Sequence, residues 1–310
     1  MSSYRVLSGG VNRSSDGRVV GRPLLDRCHA DRDDENANRV RWNDPAAQLL
    51  LIDPHDKVVM ADGRVVAVPT EGERDDQRDL LLGVVDGVPW FARRTSEPRP
   101  AARSLRTVDL VPVDRELVMS AVAALAWHES HPLCPRCGRS THITSGGPVR
   151  VCPQGHRIFP RTDPAIITAV LDGEDRIVLA RQHSWEPHRR SVLAGFIEAG
   201  ESAEHAVVRE AAEETNLTIT SACYVGSQVW PFPRSLMFGY VARASGAIDV
   251  GHDELAEADF LSRQEVSDQV DAGHLQLPPT LSIARALIDA WLEYRLPKPE
   301  SGFDLLGSPT

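Results

Sequence analysis

What the chain has little of narrows the problem first. Its longest apolar run in a helix-like segment, LVMSAVAALAW, falls well short of the roughly 20 residues that cross a bilayer, so no helical membrane span is expected. The opening residues MSSYRVLSGGVNRSSDGR contain no apolar h-region, which argues against secretion and for a cytoplasmic setting. Basic residues are in deficit: 34 Lys and Arg stand against 44 Asp and Glu, a formal net charge of -10. A general nucleic-acid binder needs the opposite balance, whereas a protein that collects divalent cations does not. Cysteines number five. Cys28 and Cys223 stand alone, but Cys134, Cys137 and Cys152 cluster, and in a reducing compartment a cluster reads as metal ligation before disulfide.

What is present describes a globular chain. Its 310 residues, 42% hydrophobic and 25% charged, suit about two domains at roughly 150 residues each. Short β-like runs, AQLLLID, KVVMA, RVVAV and DLLLGVVDGVPWFARR, are separated by Asp-Gly and Pro signals. The charged stretch DRCHADRDDENANR reads as loop. Helical spacing of Val118, Val122, Leu125 and Ala126 predicts a helix from about Arg115 to His128, and PTLSIARALIDAWLEYR predicts a final helix. DPAIITAVLDGEDRIVLARQ reads as strand, polar turn and strand. Its outline matches AQLLLIDPHDKVVMADG, which leaves open that the N-terminal part is a degenerate copy of the C-terminal fold. The expected division is 1–125, a ribbon at 126–160, a catalytic domain at 161–296 and a flexible tail at 297–310.

The stretch GFIEAGESAEHAVVREAAEETNL crowds four charged side chains into Arg209, Glu210, Glu213 and Glu214. On a helix over 203–215, at about 100° per residue, Val208, Ala211, Ala212 and Thr215 form the stripe expected to pack on a sheet. Glu210, Glu213 and Glu214 then share the opposite side. Like charges at i and i+4 cost a few tenths of a kcal/mol on an exposed helix, so a solvated acidic face is the plain alternative. A cluster unfavourable when empty becomes favourable around a hard cation, because Mg²⁺ and Mn²⁺ prefer oxygen ligands.

The frame Gly195, five residues, Glu201, seven residues, Arg209-Glu210-Ala211, one residue, Glu213-Glu214 resembles the Nudix hydrolases, whose box it follows. Asn216 stands where that family has Gly, and Asn is the next residue most tolerated in the left-handed conformation that closes a helix. The resemblance implies an α+β protein with a Nudix α/β/α sandwich on a mixed sheet, preceded by a zinc ribbon and a smaller α/β domain. It implies Glu210 and Glu214 as direct Mg²⁺ or Mn²⁺ ligands, Glu213 as ligand or base, a contribution from the Ala194 carbonyl, and Arg209 holding the glutamates in place. A further glutamate comes from GHDELAEADF, where Glu254 is favoured over Glu257.

The second cluster, CPRCGRSTHITSGGPVRVCPQGH, gives Cys134-x2-Cys137, fourteen residues, then Cys152-x3-His156. Three thiolates and an imidazole make a common closed, structural Zn²⁺ set. His131 and His142 compete with His156 for the fourth place, and Gly138 and Gly155 suit tight knuckle turns.

After the box comes SQVWPFPRS, residues 227–235, in which Trp230 and Phe232 alternate with stiffening prolines and offer flat faces for stacking. It resembles the array that marks the NADH pyrophosphatase branch of the family, with Val229 in place of one proline. That resemblance implies substrate contacts at Gln228, Trp230, Phe232, Ser235, Arg106, Phe159, Phe196 and Ala284. The expected activity is hydrolysis of the NAD(H) diphosphate to NMN(H) and AMP, removal of NAD caps from RNA 5′ ends, and a homodimeric state. Any RNA would then be held by its NAD end rather than along a basic groove. Two rivals are a broader hydrolase of ADP-ribose or dinucleoside polyphosphates and a non-catalytic zinc-ribbon protein that binds nucleic acid.

Overall fold

The computed structural model describes residues 12–13, 19–20, 24–251 and 254–299; the tail expected to be flexible lies largely outside them. No helix among the described residues is long and apolar enough to cross a membrane. The described residues form two compact units, one built from Asp163–Val229 and those from Ser235 onward, the other from those before Asp163 together with Trp230–Arg234.

In the second of these units, helix α1, Glu35–Trp42, occupies part of the charged stretch expected to be loop. Its residues are mostly polar, so no apolar period announces it. It forms because the Asp34 side chain accepts from the amides of Asn36 and Ala37, and because Asn38 and Trp42, one turn apart, are its buried side chains. Trp42 meets Phe91 edge to face at 5.0 Å. Helix α2, Pro112–Ser130, starts with proline in its first turn and buries Leu117, Val118, Ala121, Val122 and Leu125 along one stripe. The sheet runs in the order Ala67–Pro69, Gln48–Ile52, Val88–Arg94, Leu80–Val85, with the two middle strands parallel. A separate three-stranded ribbon, His142–Thr144, Val149–Val151 and Arg157–Ile158, carries the clustered cysteines at its ends.

The other unit has a mixed sheet in the order Thr218–Trp230, Ser235–Ser245, Asp163–Leu171, Ile177–Gln182, Leu255–Leu261, with Leu193–Phe196 paired to the central strand. The central strand is parallel to Ser235–Ser245 and antiparallel to Leu193–Phe196. Both sheets thus contain a short antiparallel strand, a central strand and a parallel partner side by side.

The central strand is buried along almost its whole length and sends alternate side chains to opposite faces. Ile167, Ala169 and Leu171 pack with Ile283, Leu287, Ile288 and Trp291 of helix α5, Ile283–Leu292. Ile166 packs with Ala206 and Val207, and Val170 with Ala211, of helix α3, Ala203–Thr215. The result is helix, sheet, helix. Helix α4, Arg263–Asp271, begins with a reciprocal Ser262 and Glu265 capping box. Helix α5 is shorter than the predicted segment, starting after the Ser282 cap.

Helix α3 has the expected bounds but not the expected orientation. Its buried residues are Ala206, Val207, Glu210, Ala211, Glu214 and Thr215, while Val208 and Ala212 face out. The packed stripe is therefore rotated from the one the apolar residues suggested, and it takes in two glutamates. The physical reason is Gly195 on the neighbouring strand, whose missing side chain leaves room for the Glu210 carboxylate.

Candidate active site and metal centre

Helix α3 starts at Ser202, whose side chain accepts from the His205 amide, and ends at Asn216 in the left-handed conformation, φ 58°. The substitution of Asn for Gly therefore preserves the helix stop. Beside the helix runs the strand Leu193–Phe196, in which Ala194 lies opposite Ile167 of the central strand. Gly195 follows. A Cβ at that position would stand 1.9 Å from the Glu210 carboxyl carbon and 2.0 Å from its Oε1, so only a residue without a side chain lets the carboxylate lie against the strand.

Arg209 saturates its guanidinium on this site. Its Nε and Nη2 donate to the two oxygens of Glu201, both at 2.8 Å; Nη1 donates to Glu210 at 2.8 Å and to Glu213 at 2.9 Å; Nη2 also donates to the Phe196 carbonyl at 2.9 Å. Glu201, so engaged, is held at a pKa of about 2, first by the Arg209 hydrogen bonds and then by the Glu198 amide. Glu210 and Glu214 behave oppositely. Burial raises the Glu210 pKa against the pull of Arg209. Burial, with the added charge of Glu210, Glu254 and Glu213, pushes Glu214 up to about 8, and its Oε2 is buried without any hydrogen-bond partner. Such an oxygen is costly unless something positive reaches it. The donor set, carboxylates alone around a partnerless oxygen, fits Mg²⁺ or Mn²⁺.

Between the two loop glutamates the structure discriminates. Glu257 is tied to Arg181 and Arg190, each at 2.7 Å, which lowers its pKa. Glu254 is exposed, and its charge acts on Glu210 and Glu214.

In the ribbon, one donor atom each from Cys134, Cys137, Cys152 and His156 lies within 4.8 Å of the others. Cys134 Sγ is 3.5 Å from His156 Nδ1, and Cys137 Sγ is 3.7 Å from Cys152 Sγ. Each cysteine knuckle closes with a left-handed glycine, Gly138 at φ 69° and Gly155 at φ 77°, whose amide donates to the carbonyl of Cys134 or Cys152 at 2.8 Å. Of the rival donors, His131 hydrogen-bonds Ser130 and His142 pairs in the ribbon opposite Val151; neither joins the cluster. Three thiols and an imidazole at this spacing fit a tetrahedral Zn²⁺.

The residues expected to touch substrate divide into groups. Phe159 and Phe196 are exposed, 61% and 59%, and the Arg157 guanidinium lies over the Phe159 ring, 6.0 Å from its centre. Arg106 lies over the Phe232 ring, 4.8 Å from its centre, while Trp230 meets Phe232 edge to face at 5.3 Å. Gln228 is committed to backbone: its amide nitrogen donates to the Leu281 carbonyl and its oxygen accepts from the Ile283 amide, both at 2.7 Å. Ala284 is buried in the α5 core, and Ser235 is buried opposite Asp163. These placements give the last three a supporting position rather than an open face.

The NUDIX domain family model matches residues 161–281. The NAD-capped RNA hydrolase NudC of Mycobacterium tuberculosis strain H37Rv is 40% identical over 297 residues, covering 87% of this chain and 94% of that protein. The chain belongs to the Nudix hydrolases, in the NudC-type branch. Other relatives of this Nudix hydrolase match a smaller part. The NAD-capped RNA hydrolase NUDT12 of Macaca fascicularis is 39% identical over 57% of this chain and 41% of its own length. The mitochondrial NAD(P)H pyrophosphatase NUDT13 of Mus musculus is 39% identical over 59% and 56%. A crystal structure of a Nudix hydrolase from Nitrosomonas europaea covers 55% of this chain and 97% of its own at 19% identity and a TM-score of 0.43.

Two features of this Nudix site were not read from the sequence. Glu201 was one letter in a frame, yet it is the bidentate anchor of Arg209; the box spacing was the available signal. The engagement of Gln228 with residues more than fifty positions away had no local signal at all.

Proposed function

We propose that this chain is a divalent-metal-dependent NAD(H) pyrophosphatase, yielding NMN(H) and AMP, that also removes NAD caps from RNA 5′ ends. The observation that carries the proposal is Glu214 Oε2, buried without a partner beside Glu210, under the added charge of Glu213 and Glu254. Glu210, Glu214, Glu254 and the Ala194 carbonyl would hold Mg²⁺ or Mn²⁺, with Glu213 as a ligand or the base. Bound there, the ion would supply charge neutralisation at the diphosphate and a more acidic attacking water.

The chain's own groups do the positioning. Arg209 fixes Glu201, Glu210 and Glu213 by direct hydrogen bonds, so the carboxylates need little reordering when substrate arrives. Exposed Phe159 and Phe196 supply ring faces for a base or nicotinamide, and Phe232 is held by Arg106 and Trp230. The names of the relatives support NAD and NAD-capped RNA as substrates. Cys134, Cys137, Cys152 and His156 would hold a closed, structural Zn²⁺. We take the chain to be cytoplasmic, and homodimeric as the family resemblance implies.

Glu214→Gln keeps the shape and removes the charge. Turnover of NADH and of an NAD-capped oligonucleotide should fall at least about a hundredfold in the presence of Mg²⁺ or Mn²⁺, beyond the roughly 10–100-fold of a supporting residue. Unchanged turnover, or equal rates on ADP-ribose and diadenosine polyphosphates, would overturn the assignment.

A further inference from the structure

Away from the glutamates, one cavity of about 230 Å³ lies among helix α2, the ribbon and the strand region near Leu80. Its lining includes Arg78, Arg94, His128, Glu129 and Arg150. The charges there do not cancel. Arg94 is accounted for: its Nε and Nη2 donate to Glu129 at 2.8 and 3.2 Å, and its Nη1 reaches Asp56 at 2.7 Å. Arg78 is exposed and forms no ion pair among the described residues. Arg150 is the unusual member.

Arg150 is only 7% exposed and touches no carboxylate among the described residues. Its Nε donates to Thr141 Oγ1 at 2.6 Å, its Nη2 to the Thr141 carbonyl at 2.9 Å and its Nη1 to His128 Nδ1 at 3.0 Å. A guanidinium can only donate, so His128 Nδ1 is the acceptor and its Nε2 carries the proton given to the Gly147 carbonyl, 2.8 Å away. His128 is consequently neutral: burial, and then the Arg150 charge, hold its pKa down at about 4. Every partner of the buried guanidinium is neutral. A buried cation without a counter-charge is expensive, and the fold spends three neutral acceptors on aiming it at a cavity rather than pairing it.

We propose that this cavity is a phosphate-binding site, in which Arg150 and Arg78 clasp one phosphate group. Its volume is below the roughly 300 Å³ at which organic-ligand pockets begin, which suits a single oxyanion better than a whole dinucleotide. Guanidinium forks match phosphate oxygens, and two of them would neutralise a dianion. The phosphate could belong to a mononucleotide product or to an RNA chain.

The test is calorimetric titration of inorganic phosphate into the zinc-loaded full chain without Mg²⁺ or Mn²⁺, conditions in which the glutamate nest repels anions. Saturable binding is expected, about tenfold weaker in Arg78→Ala and lost in Arg150→Met, while Glu214→Gln binds like the parent. Arg78 lies at the surface, so its variant keeps the test open even where Arg150→Met folds poorly. AMP and a short uncapped RNA, offered as competitors, distinguish the two sources; whichever displaces phosphate from the parent protein should do so tenfold less well in Arg78→Ala. Binding unaffected by Arg78→Ala, or no binding by the parent, overturns the site.

Discussion

The carboxyl carbon of Glu210 occupies the space that a Cβ on Gly195 would need, at 1.9 Å. One residue of a strand and one of a helix are thereby interlocked, and the interlock explains why α3 turns a charged side chain toward the protein. Gly195→Ala should expel the Glu210 carboxylate from its place. Expected is a drop in kcat of more than tenfold with a folded, zinc-replete protein, since misplacement by about 1 Å can cost a hundredfold. Full activity of the alanine variant would show that Glu210 can serve from another position.

Arg209 uses five N–H groups on five acceptors, the whole inventory of a guanidinium. Lysine keeps the charge but has three donors and no planar fork. Arg209→Lys should lower activity by about 10–100-fold and raise the Mg²⁺ concentration for half-maximal rate. Rates matching the parent enzyme would reduce Arg209 to a mere counter-charge.

The raised pKa of Glu214, about 8 against an ordinary 4.5, has a definite sign. The folded state holds a proton that the unfolded state has released, so stability falls as pH rises from about 4.5 to 8. His128, depressed to about 4 from 6.5, acts oppositely, its contribution being lost as pH falls through that interval. Glu214→Gln retains the histidine effect and removes the carboxylate effect. In metal-free protein, the parent's Tm should therefore decline relative to Glu214→Gln between pH 5 and 8, and Mn²⁺ should restore it. Parallel Tm curves for the two proteins would contradict the burial argument.

Cys152→Ser removes one of four donors that lie within 4.8 Å of one another. The purified chain should contain one zinc per molecule by elemental analysis, and the variant should lose it together with several degrees of Tm. A zinc-free parent protein would leave Cys134, Cys137 and Cys152 as unligated thiols, two of them buried.

The sequence carried the box, the ribbon and the bounds of α3 because these depend on spacing along the chain. Glu254 over Glu257 is the expectation of the family pattern, and the pairing of Glu257 with Arg181 and Arg190 depends on strands that meet only after folding. The orientation of α3 was not legible: an apolar stripe of Val208, Ala211, Ala212 and Thr215 ranks residues by hydropathy, whereas a carboxylate awaiting a cation packs inward on different grounds. Helix α1 was missed for a related reason. Its order comes from an aspartate cap and from Trp42, and periodicity sees neither. Gln228 and Ala284 had plausible positions in a pattern, yet their backbone partners and core neighbours depend on chain segments that meet only after folding.

Trp230–Arg234 group with the residues before Asp163 although they are encoded inside the later unit. Phe232, within this insertion, rests on the apolar cluster that includes Leu117 and Val118 and under the guanidinium of Arg106. A fragment trimmed to residues 161–281, which the family model matches, would keep its box glutamates but leave this aromatic finger without its seat. On the proposed reading of Phe232 as a substrate contact, truncation should blunt selectivity for dinucleotides before it silences the chemistry.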